Sequence, residues 1–154
     1  MSILAHRLVR VIETNSDALV KALHQKIASS PRCVEYRKVP GEELGDLVGG
    51  VYAHLGQWLL TRTEAELEQR YSRIGARRAE QGVPVSQLLW CIILVKENLW
   101  EFLRKNDALE NTSQIWGELE LMEMVEQFFD RALFFAAHGH ETALAAQRSG
   151  KKDE

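Results

Sequence analysis

Histidines are the side chains in this sequence whose spacing could hold a metal or a haem. His138 and His140 lie two residues apart, and residues at that spacing on a helix point to different sides. The Glu-x-x-His repeats of di-iron bundles do not occur. His54 lies in a glycine-rich apolar stretch and is the better candidate for a haem ligand in a globin-like arrangement. We therefore expect no metal site and keep haem bound through His54 as an alternative.

An arginine-rich turn, Arg77-Arg78-Ala79-Glu80-Gln81-Gly82, is the second candidate site. It could form a contact surface, or Arg78 could hold an anionic ligand through two parallel hydrogen bonds. Arg78 could instead pair with a carboxylate such as Glu97 or Glu101 and fix the register of two helices, with Gly82 as a C-cap. We keep Arg77 and Arg78 as candidates for ligand or partner binding.

Aromatic side chains near this turn complete the candidate set. Tyr71, Trp90 and Trp100 are candidates for contact with a ligand or a partner. For Tyr71 and Trp100 a place in the core is the better-supported explanation, because large aromatic side chains dominate the interior of small domains.

Nucleophilic catalysis has weaker support than binding. Ser86 is explained as a helix cap, and Cys91 lies in an apolar segment where its thiol would stay protonated. With Cys33 as the other cysteine, no disulfide framework is indicated, and both thiols are expected to be reduced. No phosphate-binding glycine loop followed by Lys and Ser or Thr occurs. We expect a protein that is not an enzyme.

Length and composition indicate one globular domain. The chain has 154 residues, of which 45% are hydrophobic and 27% charged. A net charge of -3 gives no general attraction to nucleic acid or anionic lipid. The longest fully apolar run, Leu88 to Val95, is far shorter than the roughly 20 residues that cross a bilayer. We predict a cytoplasmic domain over 1–148 and a disordered charged tail over 149–154, with no membrane or nucleic-acid partner.

The element that must position these residues is a helix predicted from Ser86, as its cap, to about Lys105. Its segment Leu88 to Val95 is apolar on every side and must be covered all round, by a bundle or by a second chain. A charged helix over 64–81 precedes it, with Thr63 as N-cap and Glu66 as its capping-box partner.

Helical periodicity covers the remainder of the chain. Residues 3–29 form two helices or one kinked helix, and we favour a break near Thr14-Asn15-Ser16-Asp17. An irregular link over 32–40 is followed by one helix to about Leu60. Residues 106–113 form a polar connector before a final helix over 114–147. The predicted fold is all-α, a bundle of five or six helices with a central apolar helix and a long C-terminal helix.

Glycine and charge patterns suggest how the helices meet. Gly45, Gly49, Gly50 and Gly56 predict the close approach of a neighbouring helix or space for a ligand. Residues 107–130 include acidic side chains and no basic ones, whereas five arginines lie within 62–78. These regions should attract each other within the subunit or across a dimer. The apolar face of the final helix is broad enough for the bundle and a partner, so we expect a homodimer.

A more specific pattern lies between Trp58 and Leu103. Its features are Arg62 with Glu66, the run Tyr71-x-x-Ile-Gly75, the run Arg78-Ala79-Glu80-Gln81-Gly82-Val83-Pro84-Val85-Ser86, and the aromatic pair in Leu99-Trp100-Glu101-Phe102-Leu103. This segment, about a third of the chain, resembles the N-terminal domain of the RsbR-type co-antagonists of the bacterial general stress response, in particular the RsbRD N-terminal family.

The resemblance implies an all-helical input module that receives or relays a signal. Such domains are usually joined to a STAS domain, a histidine kinase or a DNA-binding regulator, whereas this sequence ends after its last helix. We therefore expect a stand-alone signalling protein whose output partner is a separate chain: a kinase, a STAS-domain protein or a transcription regulator. Its expected mechanism is a shift in helix packing transmitted through the final helix.

Overall fold

The computed structural model of the protein describes residues 1–106 and 115–152, and over these residues the chain is helical without any strand. The all-α prediction and the long C-terminal helix are confirmed. The predicted number of five or six helices is wrong, because the described residues form seven α-helices and one 3-10 helix. The α-helices are α1 Ile3–Thr14, α2 Ser16–Ser29, α3 Gly41–Ala53, α4 Leu55–Leu60, α5 Glu64–Glu80, α6 Val85–Lys105 and α7 Ile115–Lys152, and the 3-10 helix is Pro31–Lys38.

Two features account for the additional helices. The predicted helix to Leu60 breaks at His54, whose φ of -124° and ψ of 30° are not helical. The predicted irregular link is the 3-10 helix, where the Ser30 side chain accepts a hydrogen bond from the Arg32 backbone. It buries Cys33 and Tyr36, which explains why this polar stretch is ordered. The predicted break between α1 and α2 is present at Asn15.

Capping chemistry was predicted correctly at one helix and wrongly at another. The Thr63 hydroxyl accepts a hydrogen bond from the Glu66 backbone at 3.2 Å and starts α5. Gly82 has a φ of +76°, as expected for the residue that ends a helix. The prediction that Ser86 caps α6 is wrong, because α6 begins at Val85 after Pro84 and no side chain caps it. Pro84 occupies the N-cap position in an extended conformation, with a φ of -61° and a ψ of 147°.

The central position of α6 is as predicted, but its apolar segment is not covered on every side. Helix α6 contacts α1, α2, the 3-10 helix, α5 and α7. In the segment Leu88 to Val95, most side chains are buried, whereas Leu89, Trp90 and Ile93 are half-buried. The guanidinium of Arg32 lies 4.3 Å from the centroid of the Trp90 ring and covers part of that side.

The tightest helix contact joins α5 to α7 and depends on two glycines. A Cβ atom at Gly75 would overlap the carbonyl oxygen of Ala136, and one at Gly139 would overlap the backbone of Ser72. The glycines predicted to allow close approach, Gly45, Gly49, Gly50 and Gly56, do not have this role. A Cβ atom at any of them would lie 3.4 Å or more from its nearest neighbour, which is always a side-chain atom.

The arginines of α5 pair with carboxylates outside α7. Arg77 pairs with Glu43 and Glu80, and Arg62, which precedes α5, pairs with Glu66. An ion pair of the opposite sense joins the two helices, from Arg131 of α7 to Glu64 of α5 at 3.6 Å. The described residues contain no ion pair between an arginine of α5 and an acidic residue of α7. Direct ion pairs within the described part of the subunit therefore do not provide the predicted attraction, and attraction across a dimer stays a prediction. The reason is geometric: the α5 face that meets α7 carries Gly75 and Ser72, so the arginines point elsewhere.

Helix α7 extends past the predicted end at Gln147 and is helical through Lys152. Disorder over 149–154 stays a prediction, and residues 153 and 154 lie outside the described residues. Most of the predicted connector over 106–113 also lies outside them. No helix in the described part of the chain is long and apolar enough to span a membrane.

Candidate functional site

Arg78 is the most unusual side chain of the structure, because it is charged and only 1% exposed. Its Nη1 donates to Glu43 Oε1 at 2.8 Å and to Gln81 Oε1 at 2.9 Å. Gln81 Nε2 in turn donates to Glu43 Oε2 at 3.3 Å. The three side chains tie the end of α5 to the first turn of α3. A buried charge of this kind is tolerated when it is both paired and hydrogen-bonded.

The Arg78 prediction was right about a carboxylate partner but wrong about which one. Glu97 is exposed, and Glu101 pairs with Lys26 at 2.6 Å and Lys105 at 2.7 Å. Glu43 takes their place because its carboxylate, in the first turn of α3, reaches Arg78 Nη1 at 2.8 Å. Residue spacing along α5 indicates which side of the helix carries Arg78. It does not indicate which other helix will face that side.

A small cavity adjoins Arg78 between α3, α5 and α6, with a volume of about 50 Å³. Most of its wall is aliphatic, for example Val48, Ile92 and Val95. Arg70 and Arg78 both line it, and they lie on one face of α5 because they are eight residues apart. The Nε atom of each is buried and has no hydrogen-bond partner among the described residues.

Burial and charge set the protonation of the groups around the cavity. The hydrogen bond from Arg78 lowers the pKa of Glu43, so this carboxylate stays ionised beside the guanidinium. Burial raises the pKa of Tyr71 to about 12 and that of Cys91 to about 12. Both side chains are therefore neutral at physiological pH. Cys91 is correspondingly a poor nucleophile, since the thiolate is the reactive form.

A model of the RsbT co-antagonist protein rsbRD N-terminal domain matches residues 13–154. The chain belongs to this family. Its Arg78 cluster and cavity lie inside the matched range, whereas most of α1 precedes it. No curated protein and no solved structure matches the chain.

In this RsbRD-family domain, the residues predicted from sequence for ligand or partner binding do not form one site. Tyr71 and Arg78 line the cavity, with Tyr71 packed edge-on against Phe128 at 5.9 Å. Arg77 is exposed next to Arg78 and shares Glu43 with it. Trp90 and Trp100 are half-buried on α6 and do not line the cavity.

His54 is exposed at the break between α3 and α4. It does not line the cavity of this RsbRD-family domain, whose described lining contains no histidine. Haem binding through His54 stays a prediction. Among the residues that the structure describes, no three His, Cys, Asp or Glu side chains form a group that could hold a metal ion.

A buried polar network at the middle of α6 was not anticipated from the sequence. Asn98 Nδ2 donates to the Leu19 carbonyl at 2.9 Å and to the Tyr52 hydroxyl at 3.2 Å. Tyr52 donates to the Val95 carbonyl at 2.7 Å, and Lys26 Nζ donates to Asn98 Oδ1 at 2.6 Å. The sequence did contain one indication of this network, because Asn98 lies on the apolar side of its helix. A buried asparagine needs hydrogen-bond partners.

His140 was weighed only as a metal ligand, and its structural role was missed. It is 4% exposed, and its Nε2 lies 2.7 Å from the carbonyl oxygen of Val83. A carbonyl oxygen can only accept, so Nε2 carries the proton. This bond fixes α7 against the turn between α5 and α6.

A second candidate surface is an exposed apolar patch at the start of α7, which we call the α1–α7 patch. We define it as the exposed apolar side chains near the point where α1 meets the start of α7, namely Ile3, Ile115, Trp116, Leu119 and Met122. Trp116 is 81% exposed and Ile3 is 88% exposed. The two helices meet here, because the Ser2 backbone donates to Glu120 Oε1 at 2.8 Å. Such large exposed apolar side chains at one end of a bundle are typical of a protein contact surface.

Proposed function

We propose that this RsbRD-family domain is a non-enzymatic input module of a cytoplasmic stress-response pathway in bacteria, acting through protein–protein contacts. The observation that carries this proposal is the family match over residues 13–154, because it covers every helix from α2 to α7, including those that hold the Arg78 cluster and the α7 part of the α1–α7 patch. The family description names a co-antagonist of RsbT, and action through protein–protein contacts is our interpretation of that description.

The proposed mechanism is a movement of α5 and α7 as one unit. Their backbones touch at Gly75 and Gly139, so α5 cannot slide without displacing α7. The same α5 is held to α3 by the bond of Arg78 to Glu43 at 2.8 Å. A change in the packing of α3 against α5 would thus reach α7. Packed helices transmit such changes because they switch between discrete arrangements.

We propose that the α1–α7 patch binds a second copy of the chain. Charges support this choice of partner: Arg7 and Arg10 are exposed on α1, and Glu123 is exposed on α7. In a two-fold arrangement the same surface meets itself, so basic α1 of one copy can face acidic α7 of the other. Trp116 then provides the large aromatic side chain on which such interfaces commonly depend.

An output protein would be contacted by the far end of α7. From Glu141 to Gly150 its side chains are exposed, except for half-buried Ala143 and Leu144. This segment therefore offers a helical surface that the bundle does not use. We propose a separate-chain kinase, STAS-domain protein or transcription regulator as the partner.

The test is genetic, in a bacterium that encodes the chain and carries a reporter of its general stress response. Deleting the gene should change the response to stress, and Trp116→Glu should reproduce part or all of that change. Phe134→Glu is the matched control, because Phe134 is 65% exposed on the same helix but lies outside the patch. A deletion without effect on the reporter would refute the proposed function. Equal effects of the two variants would refute the role of the patch.

A further inference from the structure

The glycines of α3 weaken this helix without giving it a closer contact in return. Gly45, Gly49 and Gly50 all lie in its interior. Each glycine there shifts the helix–coil equilibrium towards the unfolded segment about two- to fivefold relative to alanine, because its backbone loses more freedom on folding. A Cβ atom at any of the three would meet side-chain atoms, at 3.4 Å or more, and not a backbone. No close approach of another helix therefore accounts for these glycines.

The length and ends of α3 make it depend on its neighbours. It has 13 residues, and isolated helices of about this length are marginal even when they consist of good helix formers. Its first turn follows Pro40, and no described side chain caps it there. At the other end the backbone leaves helical geometry at His54, so α4 does not continue the helix. The folded state of α3 is thus maintained by its packing.

That packing differs between the two sides of α3. Its backbone lies close to α1 and α2. Long side chains attach it to α5 and α6, where Arg78 donates to Glu43 at 2.8 Å and Tyr52 donates to the Val95 carbonyl at 2.7 Å. The cavity of about 50 Å³ lies between the same three helices. The apolar side chains of α3 are therefore incompletely packed against α5 and α6, which reduces the dispersion energy that holds the helix in place.

We propose that α3 is a built-in gate, which opens as one unit while α5, α6 and α7 stay folded. In the open state Arg78 loses its contact with Glu43, and the side chains of Tyr71 and Ile92 that line the cavity become accessible. The elements of a domain that move in signalling are drawn from its least stable parts. Helix α3 meets that condition through its glycines, its ends and its incomplete packing.

This inference deepens the proposed function and rests on it for its meaning as a signalling step, because opening of α3 would release α5 together with α7. Its test does not depend on that function, since it is carried out on the purified chain. Failure of α3 to open would remove the gate and leave the reporter experiment valid. A reporter that does not respond to deletion would equally leave the opening of α3 intact.

Backbone amide hydrogen exchange, followed residue by residue with nuclear magnetic resonance, measures the opening of each helix. When reclosing is fast, the observed exchange rate divided by the intrinsic rate gives the opening constant. We expect the amides over 48–53 to share one opening constant. It should be at least about tenfold larger than that of the central amides of α6, given the combined effect of three glycines.

Two variants separate opening of α3 from unfolding of the whole domain. Gly45→Ala combined with Gly49→Ala should lower the opening constant of α3 at least about fourfold, because alanine favours the helix and both positions have room for a Cβ atom. His140→Ala is the control for global unfolding, since His140 bonds α7 to Val83 and not to α3. It should raise the opening constant of the α6 amides and leave that of α3 unchanged.

Three outcomes would overturn the proposal. The first is the same opening constant for α3 and α6 in the wild-type chain. The second is an equal rise for both helices in His140→Ala, because α3 would then open only when the whole domain unfolds. The third is wild-type exchange of α3 in the double alanine variant, which would show that the glycines do not control its opening.

Discussion

Gly75 of α5 and Gly139 of α7 are 64 positions apart in the sequence, yet together they mark where the backbones of the two helices meet. A side chain at either position would occupy the space of the opposite backbone. The two glycines therefore allow α7 to pack directly against the backbone of α5, and apolar burial adds to the stability of this contact. This contact is the reason that α5 and α7 are expected to move together.

Replacing Gly75 by alanine tests that contact. The new Cβ would collide with the Ala136 carbonyl, which cannot rotate away, so Gly75→Ala should lower the free energy of unfolding by about 3 kcal/mol or more. Gly45→Ala is the control, since its Cβ would lie 3.8 Å from the His24 ring, and helix propensity alone should stabilise it by up to about 1 kcal/mol. Urea denaturation measures both. Similar stability for the two variants would show that the helices are not in close contact.

The bond between His140 and the Val83 carbonyl makes a prediction about a neighbouring pair of histidines. His140→Ala should lower the free energy of unfolding by about 1–3 kcal/mol, because it leaves a buried carbonyl without its donor. His138 is exposed on the same helix, so His138→Ala should change stability by less than about 0.5 kcal/mol. Thermal unfolding compares them. An equal change in the two variants would mean that the bond between His140 and Val83 adds no stability of its own.

Asn98 is expected to be essential for the packing of α6 against α2 and α3. Asn98→Ala removes a donor to Leu19 and Tyr52 and an acceptor for Lys26, which should destabilise the domain by about 2–4 kcal/mol. Glu97→Ala changes an exposed neighbour and should have little effect. Measurement of unfolding in urea with tryptophan fluorescence would test this. Wild-type stability in Asn98→Ala would contradict the network.

The ion pairs of Glu101 predict a dependence of stability on pH. Hydrogen bonds from Lys105 and Lys26 lower the pKa of Glu101 from its ordinary value of 4.5 to about 2. A carboxylate whose pKa is lowered by folding stabilises the folded state above the unfolded pKa, and this contribution is lost as pH falls from about 4.5 towards 2. Because Glu101 is partly exposed, solvent screening makes the effect modest.

Glu101→Gln should therefore be less stable than wild type at pH 7, with the difference shrinking as the pH falls below 4.5. Glu97→Gln serves as the control, because Glu97 forms no ion pair among the described residues and should follow the wild-type pH profile. Urea denaturation at several pH values provides the comparison. A constant difference between Glu101→Gln and wild type across this range would argue against the stabilising ion pairs.

Periodicity and capping patterns predicted the helical class, the long last helix and the central α6. They failed where the outcome depended on which helix lies opposite. The partner of Arg78 is Glu43 because the fold brings the first turn of α3 within reach of the Arg78 side chain, and nothing local to Arg78 encodes that position. The prediction that the glycines within 45–56 allow close helix contact was wrong because the sequence did not show which helices would lie opposite each other. A glycine on a helix marks potential space, and only the neighbouring element decides whether that space is used.

The site was less predictable than the fold. Tyr71 and Arg78 were identified from their residue types and do line the cavity, but Arg70 was noted only as one of several charges. Trp90 and Trp100 were grouped with them because all are aromatic or basic and close in sequence. Their positions on α6 place them outside the cavity. Asn98 and His140 were underestimated because a polar side chain acquires its role from burial, which local sequence indicates poorly.

The proposed role depends on contact with other proteins, and sedimentation equilibrium of the purified chain tests the first such contact most directly. We expect a reversible dimer, with a dissociation constant raised at least about thirtyfold in Trp116→Glu and unchanged in Phe134→Glu. Circular dichroism would confirm that both variants stay helical. A wild-type chain that remains monomeric at high concentration, or a dimer that Trp116→Glu leaves intact, would contradict the account.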